Sequence, residues 1–519
     1  MKQLYYNVYD FGVAGDGVTK DTQAIQRAID SCELAGGGTV VFPSGTYLSG
    51  TIYLKSHVEL HLSAGATILG SPDREDYNSD DVFPENDVFS TENVTGAHLI
   101  IGYCQENISI TGTGTIDGNS SRFFGDLDKE RDTSDYWFKR GNFPVTSWRP
   151  GQMVFLCRCK RINVENISLI NSTYWNLFML GCEDVHIRGL TIINHAATPN
   201  GDGIDVDCSR NVTISDCIIR SGDDCITVRA NKRRLGKNAM ISENVTVTNC
   251  VLSTPTCAFR IGVGDGNIRN CRFDNIVISE ARTAISMILR YSTRSLHGAG
   301  IQQIHFSNFT IDSLIPFQIN SGNEATPPAY LKDISFSNFR IKAWAGAQII
   351  GEPEVPIKNI KFNNVDWKIY GGTENCSYVD EFPEPLSLFG YHGKGGTPAM
   401  PCAFYGRNLK NIVFKDVNIH WDEPSSVWRD GIFIDKSSDI EFSDVKLRQP
   451  KDNIGAAFRC KSSDDIRLKG CQAEKGTHTF LKVEDSLVDT QVKCIDNDLS
   501  EATRALDVDV DIIETGNLY

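Results

Sequence analysis

Along most of the chain, apolar and polar positions alternate in short units of one shape: apolar-x-apolar, two polar or small residues, then apolar-x-apolar again. The units read INVENISLIN from Ile162, VHIRGLTIIN from Val185, VTISDCIIRS from Val212 and VTVTNCVLS from Val245. They continue as IHFSNFTID from Ile304, ISFSNFRIK from Ile334, IKFNNVDWKI from Ile360, IVFKDVNIHW from Ile412, IEFSDVKLRQ from Ile440 and IRLKGCQAEK from Ile466. Period-two alternation marks a strand with one buried face. Equivalent positions Leu190, Cys217, Cys250 and Ile276 lie 27, 33 and 26 residues apart, and Phe309, Phe339 and Val365 lie 30 and 26 apart. Such self-similarity means a repeat architecture, in which no unit buries its apolar face alone.

Two short strands and a kink per unit predict an all-β chain wound as a right-handed parallel β-helix. Each coil exposes unpaired strand edges, and stacking the next coil at about 4.8 Å satisfies them while burying the Val, Ile, Leu and Phe interior. Asparagine at the kinks suits a tight bend, because Asn tolerates left-handed backbone angles and its amide can bond along a ladder. The segment KDTQAIQRAID predicts a short capping helix with Asp21 as N-cap and Ala24, Ile25, Ala28 and Ile29 on one face. A single domain over 1–519 is the expectation, its N-terminal cap ending near residue 40.

Two segments break the rhythm. Residues 119–150 are rich in aromatics and charge, and residues 371–401 in Gly and Pro; the second stretches the step from Val365 to Val417 to 52 residues. Long excursions of this kind form cleft walls and lids, or simply pack on the coils.

The net charge of −15 removes nucleic acid as a partner, since phosphate contact needs a basic face. No run of eighteen apolar residues predicts a membrane span, and the first thirty residues do not read as a signal peptide. A cytoplasmic location is the expectation, a trimmed secreted chain reading the same. The sixteen cysteines are scattered through strand-like segments, which predicts buried reduced thiols rather than a metal or disulfide framework.

The candidate chemistry lies in PNGDGIDVDCSRNVTISDCIIRSGDDCITVRA, from Pro199 to Ala230, where Asp202, Asp205 and Asp207 are followed by the pair Asp223 and Asp224. With a coil of twenty to twenty-five residues, Asp202 is expected to stack near Asp223, with Asp224 beside it. Three carboxyls so close raise at least one pKa, which suits a general acid, while the others hold a water. Acid and base around a water are the apparatus of an inverting glycosidase. Two other readings stay open on spacing alone: acidic turns that cap coils or bind a cation, and a calcium-dependent lyase.

Taken together these motifs resemble glycoside hydrolase family 28, the polygalacturonase-like group. The matching residues are Asn200-Gly201-Asp202-Gly203-Ile204-Asp205 and, one coil later, Ser221-Gly222-Asp223-Asp224-Cys225-Ile226. The likeness extends through YDFGVAGDGVTKDTQAIQRAID, through GTGTIDG from Gly112 and through STYWNLFMLGCEDVHIRGLTI, from about Tyr9 to at least Ser292, with the repeat pattern continuing beyond. It implies a pectin lyase-like solenoid in which Asp223 protonates the leaving oxygen and Asp202 and Asp224 activate water. No metal or organic cofactor is implied.

The chain departs from the family pattern twice. Where a G-H-G-I-S-I-G motif is usual, Thr256-Cys257-Ala258-Phe259-Arg260-Ile261-Gly262 puts Cys257 in the histidine's place. Where an R-I-K motif grips the galacturonate carboxylate, Ser286-Met287-Ile288 stands. Arg260 and Arg290 are candidates to rebuild that clamp. Arg229 and Lys232, in the basic run Arg229 to Lys237, are candidates for a cationic rim. Asn200, Trp175 with its neighbour Tyr174, and His195 complete the candidate substrate contacts.

The reading is an inverting hydrolase of α-glycosidic bonds in pectic galacturonate or rhamnogalacturonan chains, exo-acting or otherwise non-standard. A β-helix lyase and a carbohydrate-binding β-helix without turnover are the alternatives. An acidic or pectic oligosaccharide is the expected partner, and the sequence leaves the oligomeric state open.

Overall fold

The computed structural model describes residues 5–79, 83–86, 92–126, 142–291, 294–322, 324–371, 401–422, 428–450, 455–486 and 490–519. The strands pair in parallel, coil upon coil, as a right-handed parallel β-helix. Two compact units divide the chain, Met1–Phe259 and Arg260–Tyr519.

In the first unit Val154, Leu177, Ile204 and Ile226 face one another in register, so successive coils take 23, 27 and 22 residues. Their side chains are buried, as the alternation predicts for an inward row. The helix Thr22–Leu34 buries Ala24, Ile25, Ala28, Ile29 and Cys32 and packs on the strand Gly38–Phe42. Asp21 does precede this helix, but its carboxylate makes no side-chain cap bond. It accepts instead from the backbone N–H groups of Ala14 (2.7 Å) and Gly15 (3.0 Å), satisfying two donors of the preceding loop.

The second unit realises the long-range steps read from the sequence. Phe309 pairs with Phe339, Phe339 with Val365, and Val365 with Val417, so the 52-residue step ends in register. Its interior holds a column of stacked rings. Phe306 to Phe336 is 5.3 Å, Phe336 to Phe362 4.8 Å, Phe362 to Phe414 5.0 Å and Phe414 to Phe442 5.3 Å between centroids. That is the coil spacing itself, so identical residues at identical positions stack face to face.

Asparagine closes the corners as expected. Asn308, Asn338 and Asn364 have φ of 59°, 60° and 54°, and their amides donate in series to Asp274, Asn308 and Asn338 at 2.7, 3.0 and 2.8 Å. In the first unit Asn244 donates to Asn211 and Asn211 to Asp184, at 2.8 and 2.9 Å. Among the described residues fifteen cysteines are free thiols, all buried except Cys104. Of the two segments outside the rhythm, residues 127–141 and 372–400 lie outside the described residues.

Candidate active site

The acidic motifs occupy the turns that lead into the strands Ile204–Asp207 and Ile226–Ala230. The Gly203 N–H donates to the Asp224 carbonyl and Ile204 to Cys225, both at 2.9 Å, while Asn176 donates to the Asp202 carbonyl at 2.9 Å. Asp202 is therefore in register with Asp224. The expected stacking of Asp202 on Asp223 is off by one residue, because the coil here takes 22 residues rather than 21. Asp223 stands beside that pair and is half-buried, whereas Asp202 and Asp224 are each only 5% exposed.

The glycines in these motifs keep the backbones close. A Cβ on Gly203 would lie 2.4 Å from the Cys225 carbonyl oxygen, and one on Gly222 2.6 Å from that of Thr198. Both are closer than real Cβ atoms come, so any side chain would force the acid-bearing turns apart.

Neighbouring groups fix the acids. One Asp224 oxygen, Oδ1, accepts from the Thr256 hydroxyl and from the Cys257 N–H, both at 3.2 Å. Cys257, buried, thus serves the site through its backbone. The Asp223 carbonyl accepts from Ser221 Oγ at 2.5 Å and from the Thr254 hydroxyl, and its N–H donates to Gly201 at 3.3 Å. Burial first, then the carboxylates of Asp205, Asp223 and Asp224, push the Asp202 carboxyl well above the usual carboxylate range, with Arg229 opposing.

A second layer lies beneath. Asp205 and Asp207 are fully buried; Asp205 Oδ1 accepts from Thr227 Oγ1 at 2.6 Å and Asp207 Oδ1 from the Asn231 N–H at 2.7 Å. Burial pushes Asp205 up to about 7 against the pull of Arg229. Arg229 lies 3.6 Å from Asp205 and 3.9 Å from Asp207, and its guanidinium sits 4.5 Å over the Trp175 ring. It is not the rim cation expected from the basic run, because two buried carboxylates draw it inward. Lys232, at the start of the four-residue helix Lys232–Leu235, is exposed.

Trp175 is a packed residue rather than an open sugar platform: Tyr174 stacks on it at 5.1 Å and Arg229 lies over the ring. His195 is exposed, with its ring 4.8 Å from Phe143 and Nδ1 accepting from the Ala197 N–H. Asn200, with φ of 55°, turns its side-chain oxygen to Arg149 rather than outward to a substrate.

Arg149 is the residue that pattern reading passed over. Fully buried, it donates to the carbonyls of Asn93 (3.1 Å), Thr173 (2.8 Å), Pro199 (2.6 Å) and Glu92 (2.7 Å) and to Asn200 Oδ1 (3.0 Å). It ties the start of the first acidic motif to the neighbouring loop and coil. The one sequence signal was an arginine beside Pro150, just ahead of the strand Val154–Cys157, in a segment taken for an insertion.

Arg260 and Arg290 belong to the second unit. Arg260 is buried with its guanidinium 5.0 Å over the Tyr291 ring. Arg290 donates to the Ser295 carbonyl at 3.0 Å and pairs with Glu324 at 2.8 Å.

The model of glycosyl hydrolases family 28 matches residues 43–319. A probable polygalacturonase of Vitis vinifera is 27% identical over 417 residues, which cover 76% of this chain and 79% of that one. An exo-poly-alpha-D-galacturonosidase of Dickeya chrysanthemi is 25% identical over 416 residues, 70% of this chain and 67% of that one. Among solved structures, the family 28 exopolygalacturonase of Yersinia enterocolitica superposes with a TM-score of 0.59 at 19% identity, covering 85% of this chain and 78% of that one, a likeness of fold.

Proposed function

We propose, from the premise that the chain belongs to glycosyl hydrolases family 28, that it hydrolyses α-glycosidic bonds of pectic poly- or oligosaccharides with inversion, using Asp202, Asp223 and Asp224. The observation that carries this reading is the register that brings those three residues together, two buried and one half-buried.

The roles follow from exposure and partners. Asp223 is the acid a leaving oxygen can reach, since the other two are buried. It gives its proton to the glycosidic oxygen as the bond to the anomeric carbon breaks. Asp224, held through Oδ1 by Thr256 and Cys257, and Asp202, which faces it in register, form the pair assigned to the attacking water. Together they take a proton from that water as its oxygen attacks the opposite face of the sugar, so the configuration at the anomeric carbon inverts.

The substrate class rests on the pectic names of the relatives. A galacturonate carboxylate drawn to Arg290 would compete there with Glu324. The test is a reducing-sugar and product-size assay on polygalacturonate, rhamnogalacturonan and short galacturonate oligomers, beside Asp223→Asn. Turnover of one of them that disappears in the variant supports the reading, and single-sugar products would make the enzyme exo-acting. Absence of turnover on all three with folded protein overturns the substrate class.

A further inference from the structure

The turn that carries Asp223 and Asp224 is held at both ends by the coil that follows it. The Ser221 N–H donates to the Ser253 carbonyl at 3.1 Å and the Cys225 N–H to the Cys257 carbonyl at 2.9 Å. Between these bonds stand Thr254 and Thr256, both buried, with their hydroxyl oxygens 3.3 Å apart. A hydroxyl has one hydrogen to give and two lone pairs that accept, so the bonds of this pair can be counted.

Thr254 gives its hydrogen to the Asp223 carbonyl, which can only accept. Its oxygen receives the Thr256 N–H at 3.1 Å, which leaves it one lone pair. The Thr256 hydroxyl stands between two acceptors at nearly equal range, Asp224 Oδ1 at 3.2 Å and the Thr254 oxygen at 3.3 Å. It has a hydrogen for one of them at a time. While Asp224 is ionised the hydrogen goes there, because a charge-assisted bond is about twice as strong as a neutral one. Once Oδ1 carries a proton it becomes a donor, and a buried donor without an acceptor is costly. The Thr256 oxygen can accept that proton's bond if its own hydrogen turns to Thr254. The Cys257 N–H, 3.2 Å from the same Oδ1, is a backbone donor with no such second position.

We propose that Thr254 and Thr256 are positioning residues that fit Asp224 to both of its protonation states. The Thr256 hydroxyl donates to Asp224 before the water attacks, and it donates to Thr254 while Asp224 holds the proton taken from that water. An O–H bond of the water breaks and an O–H bond forms on Asp224; the threonines keep their own hydrogens, and one hydroxyl rotates. This rests on the role assigned to Asp224 above.

The test compares Thr256→Val and Thr254→Val, which keep the shape and remove the hydroxyl, with Thr256→Ser and Thr254→Ser, which keep the hydroxyl. The substrate is the oligomer that the wild type turns over, and urea midpoints verify folding. Each valine variant is expected to lower kcat by about ten- to a hundredfold with KM unchanged, and each serine variant to lose much less. In Thr254→Val the Asp223 carbonyl still accepts from Ser221 Oγ, so a loss of kcat there does not come from stranding that carbonyl. Wild-type kcat in Thr256→Val overturns the proposal, as do serine variants no better than their valine counterparts. A loss in Thr256→Val that Thr254→Val does not share would make Thr256 a fixed clamp and overturn it as well. Should Thr256→Val fail to fold, the two Thr254 variants decide alone by the same criteria. Failure of the role assignment is separate, since it would appear as retained activity in Asp224→Asn.

Discussion

Replacing Arg149 by methionine removes a buried side chain that ties the start of the first acidic motif to its surroundings, and the structure sets the size of the effect. Five acceptors lose their donor: the carbonyls of Glu92, Asn93, Thr173 and Pro199, and Asn200 Oδ1. At about 1 kcal/mol for each acceptor stranded in the interior, the loss is about 5 kcal/mol. Release of the guanidinium's own burial penalty offsets part of it, leaving about 3 kcal/mol. In a urea titration the midpoint falls accordingly. Catalysis suffers further, because Pro199 and Asn200 lead directly into Asp202, and a shift of about 1 Å at a catalytic group costs about a hundredfold. Arg149→Lys, which keeps the charge but loses the planar fork, falls between. A methionine variant with the wild-type midpoint and wild-type kcat/KM would refute the idea that this clamp holds the acid turn.

Phe336→Ala opens a gap in the column between Phe306 and Phe362 and costs about 4 kcal/mol, read as a lowered denaturation midpoint, with Phe336→Leu costing less. Gly203→Ala places a methyl group 2.4 Å from the Cys225 carbonyl, so kcat/KM falls by about a hundredfold or more while the far-ultraviolet spectrum stays that of a folded sheet. Burial raises the folded pKa of Asp205 to about 7, above its ordinary value. Between those two values the folded state binds more protons than the unfolded one, so this group's contribution to stability falls as pH rises from about 4 towards 7. Urea midpoints measured across that window should fall less steeply for Asp205→Asn than for the wild type.

What the sequence made legible is what repeats. Phe309, Phe339, Val365 and Val417 were equivalent on paper and are partners in space, because each coil must place an apolar residue where its neighbour does. The asparagine ladder was equally plain, since left-handed corners at every turn leave few residue types to choose from. The site was less so. A 22-residue coil shifts the pairing of Asp202 from Asp223 to Asp224, a difference that no pattern of apolar residues encodes. Asp21 satisfies two backbone donors of the preceding loop instead of capping the helix. Arg229 looked like surface charge in a basic run, and only the fold sets it over Trp175 with Asp205 and Asp207 beside it. Arg149 binds backbone carbonyls, which carry no sequence signature at all.

The most direct test of the central claim is the anomeric configuration of the first product, followed by proton NMR from the moment the wild type is mixed with an α-linked galacturonate oligomer, with Asp223→Asn as the blank. A β-anomer that appears first and then mutarotates, absent from the blank, is the result that an acid at Asp223 and a water held by Asp202 and Asp224 predict. An α-anomer appearing first would mean two displacements through a glycosyl-enzyme, and would contradict the mechanism built on these three carboxylates.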